Sequence, residues 1–95
     1  MSIEHSKEDR KGCFKFIDFY GATIGTIEYK IIDESILVII HTEVAIAYSG
    51  QGIGRELIFA VVAYARENQM KIFPLCPFAR YAFNEIKSIQ DVLSV

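Results

Sequence analysis

The run Ser49-Gly50-Gln51-Gly52-Ile53-Gly54-Arg55 places three glycines immediately ahead of an amphipathic stretch. A helix start carries about half a positive charge and several unpaired amides, and glycines let an anion approach the backbone without meeting a Cβ atom. The chemistry this spacing suggests is the holding of a phosphate. Gly52 and Gly54 would free amides to point at the anion, with Gly50 and Ile53 in the same loop and Gln51 and Arg55 flanking it. No Lys-Ser/Thr pair follows the glycines, which disfavours a Walker nucleotide site. A dinucleotide fingerprint would want a further glycine where Leu57 stands. Pyrophosphate held mostly by backbone amides remains, although glycines before a helix also serve as plain turn formers. Two nearby bases, His41 and Glu43, are two apart on an expected strand, so they share a face unless a bulge breaks the parity. They are either proton acceptors or, respectively, a hydrogen-bonded structural histidine and a solvated carboxylate. Cys76 is either a reactive thiol or a small buried apolar residue.

These groups need elements to position them. Phe14 to Tyr20 reads as a first strand with a turn at Gly21, and Ala22 to Ile32 as a second. Its imperfect alternation suits a strand covered on one face, with Gly25 where something packs closely. Asp33 to Ser35 is a turn. Ile36 to His41, a continuous β-branched run, predicts a central strand buried on both faces. After the glycines, Ile53 to Gln69 has helical spacing, with Leu57, Ile58, Val61, Val62 and Ala65 on one face. Met70 to Leu75 predicts a short strand that Pro77 prevents from continuing. Phe78 to Lys87 returns to helical spacing, and Ile89 to Val95 is a terminal strand or a docked tail. The order is that of a mixed α/β layer fold.

At 95 residues and 52% hydrophobic, the chain accommodates one compact domain, expected over residues 13–95, and no second one. The polar start, with both charge signs between Lys7 and Lys11, predicts a flexible tail over residues 1–12. A net charge of −2 argues against a nucleic-acid partner. The longest apolar run, Ile36 to Ile40, is too short to span a bilayer, and residues 1–10 lack a signal-peptide core. No membrane role and a cytoplasmic location are therefore expected. Cys13 and Cys76 match neither a metal pair nor a disulfide framework, so reduced thiols and no metal are expected.

In this context the sequence resembles the GNAT superfamily of CoA-dependent N-acetyltransferases, in which a Gly-x-Gly pair opens a helix after a central strand. Gly52-Ile53-Gly54 matches the glycines, while Ser49 stands where the superfamily usually has Arg or Gln. The chain is also similar to a small GNAT-like subfamily that lacks the first helices of larger members. The shared pieces are His41-Thr42-Glu43-Val44, Ala65-Arg66-Glu67, Cys76-Pro77-Phe78 with Tyr81, and Asp91-Val92. The resemblance implies a mixed, mainly antiparallel twisted sheet splayed at its central strand, two main helices, and acetyl-CoA as co-substrate. It implies that Thr42 to Ile46, Val44 included, leave amides and carbonyls for the pantetheine arm, and that Phe78 and Arg80 lie by the cofactor, Arg80 being either a phosphate contact or simply exposed. It implies as catalytic candidates Cys76 as a thiol that accepts the acetyl group, His41 and Glu43 as bases, and Tyr81 as the acid that protonates the leaving CoA sulfur. Transfer to an amine, of a small molecule or of a protein lysine, is the expected function. A CoA-binding or partner-binding module without catalysis is the alternative, and a monomer or weak homodimer is expected.

Overall fold

The computed structural model describes residues 1–94, and Val95, the end of the expected terminal strand or tail, lies outside the described residues. β1 (Ser2–Glu8), β2 (Lys11–Ile17), β3 (Thr23–Ile32) and β4 (Ile36–Val44) are antiparallel neighbours in chain order, and β5 (Lys71–Pro74) lies parallel to β4. A parallel partner needs a crossover connection, which α1 (Ile53–Glu67) provides. α2 (Pro77–Glu85) and a 3-10 segment, Lys87–Val92, follow β5. This is the expected mixed, mainly antiparallel sheet with two main helices. No described helix is long and apolar enough to cross a membrane.

Alternation along β3 turns Ile27, Tyr29 and Ile31 inward and Glu28 and Lys30 outward. The expected face of α1, Leu57, Ile58, Val61, Val62 and Ala65, is buried throughout. It shares one core with Leu37 and Ile39 of β4, Ile72 of β5, and Ala79, Ala82 and Phe83 of α2, so both helices cover the same face of the sheet. Burying each large side chain there stabilises the fold by about 1.5–3 kcal/mol. Gly25 is where the helix comes close: a Cβ there would lie 2.9 Å from the Ile53 side chain.

Four local expectations are corrected. Ser2–Glu8, expected within a flexible tail, pairs with β2 along its whole length. Polar side chains suit an edge strand whose bonds come from the backbone, and His5 anchors it by stacking on Phe14 at 4.1 Å and meeting Tyr29 Oη 2.6 Å from its Nε2. The strand expected over 14–20 ends at Ile17 because Asp18 Oδ1 accepts the amides of Tyr20 and Ala22, each at 2.9 Å, and so closes a turn. β4 is not buried on both faces along its length, since Ile40 is exposed. At the other end, Pro74 closes β5, and Pro77 opens α2 instead of ending a strand. Of the two forms expected for the terminus, the described residues take the docked one: Lys87–Val92 is 3-10 with Ile89 and Val92 buried in the core, and Leu93 bridges Ile72 beyond it. Arg66 on α1 ties this segment down with a two-point grip on Asp91, at 2.7 and 3.1 Å.

Candidate functional site

β4 and β5 pair only from Ile36/Lys71 to Ile39/Pro74. The amides of Leu75 and Cys76 both turn onto the Ile39 carbonyl, at 3.1 and 3.2 Å, and the chain then enters α2. From Ile40 to Val44, β4 therefore has no strand on that side, and a wedge opens between it and the start of α2. This is the splay that the resemblance implied.

A β-bulge decides which side chains face the wedge. Glu28 pairs with His41 and Tyr29 with Ile39, leaving Ile40 as the extra residue. Leu37 and Ile39 point into the core, so without the bulge His41 and Glu43 would follow them. With it, Thr42 and Val44 turn toward α1, opposite the core-facing positions of Ile27 and Gly25. His41 and Glu43 still share a face, but it is the uncovered face of the sheet, where both are exposed.

On the helix side, a groove of about 400 Å³ runs from Thr42 and Val44 past Tyr48 to the glycine loop, with Arg55 and Phe78 on its rim. Gly50 and Gly52 have φ of 77° and 82°, a region that penalises side chains, and nothing lies within 4 Å of where their Cβ atoms would be. Gly52 is the cap residue of α1, and no side chain caps the helix, so the first-turn amides are free for a ligand. Gly54 acts differently from the expectation that it frees amides: the Phe78 ring packs where its Cβ would be, 2.7 Å away. Arg55 also lies in this turn, its guanidinium 5.3 Å from the Phe59 ring centroid. A cation beside the positive end of a helix is unfavourable by itself, which fits a loop that receives an anion.

Cys76 is 7% exposed and is the cap residue of α2. Its Sγ accepts the Ala79 amide at 3.4 Å and lies 3.5 Å from Thr42 Oγ1 across the wedge. Tyr81 is 65% exposed and stands three residues after Phe78, on the same flank of α2. Arg80 is two residues after Phe78, about 200° round the helix, and does not line the groove. Ile46 and Gln51 do not line it either. Ile46, 91% exposed, borders a hollow with Glu43 and Thr26, whereas Gln51 faces Met1, Ser2 and Ile3. The structure thus brings together Thr42, Val44, Gly50, Gly52, Ile53, Gly54, Arg55 and Phe78, with Cys76 behind Thr42, and leaves His41 and Glu43 across the sheet. Sequence reasoning missed Tyr48, which lines the groove while its hydroxyl donates to Asp18 Oδ2 at 3.4 Å; an aromatic residue shortly before the glycines was its only signal.

Residues 14–92 match the family model described as GCN5-related N-acetyl-transferase. Among solved structures, a GCN5-like protein of Staphylococcus aureus is 35% identical with a TM-score of 0.74, the match covering 96% of this chain and 87% of that one. The ribosomal-protein-S18-alanine N-acetyltransferase of Escherichia coli is 12% identical, with a TM-score of 0.69 and coverage of 82% and 52%. A GNAT family N-acetyltransferase of Escherichia coli, in complex with CoA, is 21% identical, with a TM-score of 0.65 and coverage of 75% and 43%. The last two share the fold, and this chain spans about half the length of each. No curated protein matches the chain.

Proposed function

This chain belongs to the GCN5-related N-acetyl-transferase family, and we propose that it transfers the acetyl group of acetyl-CoA to an amine. The observation that carries this reading is the groove that joins the uncapped, glycine-bearing start of α1 to the β4–β5 wedge. The CoA pyrophosphate sits on the first-turn amides beside Arg55. The pantetheine arm runs along the unpaired edge of β4 at Thr42 and Val44, and the thioester ends in the wedge. The acceptor amine approaches from the uncovered face, where His41 or Glu43 takes its proton directly or through water. The nitrogen attacks the thioester carbonyl, the C–S bond breaks, and Tyr81 on the flank of Phe78 protonates the CoA sulfur. Transient acetylation of Cys76 is the covalent alternative to direct attack. The reaction is assigned to the cytoplasm.

Isothermal titration tests the binding step. The parent is expected to bind acetyl-CoA with micromolar or tighter affinity, and Gly52→Glu to lose about a hundredfold or more. That substitution puts a carboxylate in the anion site and a side chain at positive φ. Parent-like binding by the variant sinks the reading. A second reading, a CoA-binding module without turnover, is favoured by one observation. Asp9-Arg10 joins β1 to β2 as a bare turn, so no described helix walls an acceptor pocket over His41 and Glu43. Release of CoA thiol across polyamines, amino acids and lysine peptides separates the two: tight binding with zero turnover on every acceptor supports the module.

A further inference from the structure

We propose that Thr42 recognises the acetyl group itself, its hydroxyl donating to the thioester carbonyl oxygen of acetyl-CoA, with the Cys76 thiol as the positioning residue that aims it. This rests on the reading that the groove binds acetyl-CoA.

The two side chains have unequal access. Thr42 lines the groove, whereas Cys76 does not line it and is 7% exposed, its sulfur standing behind the threonine. The Ile40 bulge produces this arrangement by turning Thr42, rather than His41, toward the helix side. The sulfur already accepts the Ala79 amide at 3.4 Å, and the hydrogen-bond partner within reach of its single proton is Thr42 Oγ1 at 3.5 Å. When the thiol donates there, the threonine oxygen is an acceptor and its own proton is left to point away from the sulfur. The open side of Thr42 is the groove. The result is a one-way series: amide to sulfur, thiol to hydroxyl oxygen, hydroxyl into the groove. The last donor finds its acceptor when an acyl thioester arrives, because the thioester brings a carbonyl oxygen at the end of the pantetheine arm and free CoA brings none.

Such a contact selects the substrate over the product, since the site holds acetyl-CoA more tightly than the CoA it must release. It also aims a donor at the oxygen on which negative charge develops when the carbonyl is attacked. Cys76 in this arrangement keeps its proton and forms no covalent bond.

The test compares acetyl-CoA with CoA by isothermal titration and requires no acceptor amine. The parent is expected to prefer acetyl-CoA. In Thr42→Val, which keeps the shape and removes the hydroxyl, that preference, read as the ratio of the two affinities, shrinks about fivefold. Thr42→Ser and Cys76→Ser retain the preference, because each keeps a donor in place, whereas Cys76→Ala loses part of it. A thermal melt of each variant confirms that it folds. Equal affinity of the parent for both ligands overturns the proposal, and so does a full preference in Thr42→Val. An acetyl adduct on Cys76 in the intact mass of the parent overturns it as well, because the thiol proton is then spent. Should the parent bind neither ligand, the groove assignment itself falls, a result distinct from binding without discrimination.

Discussion

At the start of α1 the cap position is Gly52, left-handed at φ 82° and without a side chain to occupy the first-turn amides. At the start of α2 it is Cys76, whose sulfur accepts the Ala79 amide, followed by Pro77, which has no amide hydrogen to satisfy. One helix end is left open toward a groove and the other is closed by the protein's own atoms, although the two meet where Phe78 packs on Gly54. Every helix start has several orphan amides, so the difference lies in what satisfies them. An open end is useful to a ligand and gives up a cap, while a closed end stabilises the fold and can aim a neighbouring side chain such as Thr42.

Substitutions at these ends should therefore fail in different ways. Gly52→Glu gives the largest effect, the loss of acetyl-CoA binding by about a hundredfold or more, because its carboxylate occupies the open end in place of the phosphate and repels it. Next is Cys76→Ala, which opens the closed end. Losing the cap should cost about 1 kcal/mol and lower the melting temperature by about 4–8 °C, whereas Cys76→Ser retains a cap oxygen and melts close to the parent. Arg55→Ala separates binding from stability at the open end. Acetyl-CoA affinity is expected to fall about fivefold in titration, while the unliganded protein melts at or slightly above the parent temperature, because a cation leaves the positive end of the helix. Melting of Arg55→Ala below the parent would show that its contact with Phe59 outweighs the helix dipole.

The far end of α1 gives the smallest effect. The hydrogen bonds from Arg66, with its charge, hold the Asp91 carboxyl below its ordinary value of 3.8. The unfolded chain thus binds the proton first, and the stability of this pair is present above the ordinary value and lost as pH falls through the depressed one. His5 acts in the same direction. Burial, and then the nearby Lys7, lower its pKa from 6.5, so its contribution is present above 6.5 and shrinks as pH falls below that. Asp91→Asn should lower the melting temperature at neutral pH by less than Cys76→Ala does, and the difference from the parent should vanish in strong acid. A difference that persists there would assign the grip to packing instead of charge.

Much of this arrangement was legible in the residues. The amphipathic face from Leu57 to Ala65, the turn at Asp33 to Ser35 and the close approach at Gly25 follow from side-chain spacing, because burial on one face imposes a period that the chain displays. β1 was not legible, since an edge strand held by backbone bonds and one histidine leaves no apolar period. The groove was legible at Gly50 and Gly52 but not at Tyr48, and the roles expected for Gln51, Ile46 and Arg80 required directions that a loop or a helix flank does not encode.

By itself, the sequence determined the order of the elements from β2 onward, the covered face of α1 and the glycine loop ahead of it, because hydrophobic period, β-branching and the intolerance of side chains at positive φ are properties of local residues. Only the tertiary structure decided that Thr42 and Val44, not His41 and Glu43, face the groove, and that Phe78 fills the space at Gly54. The reason is physical: the one-residue bulge at Ile40 reverses the facing of everything after it, and it arises from the pairing of β4 with β3, which no single strand specifies.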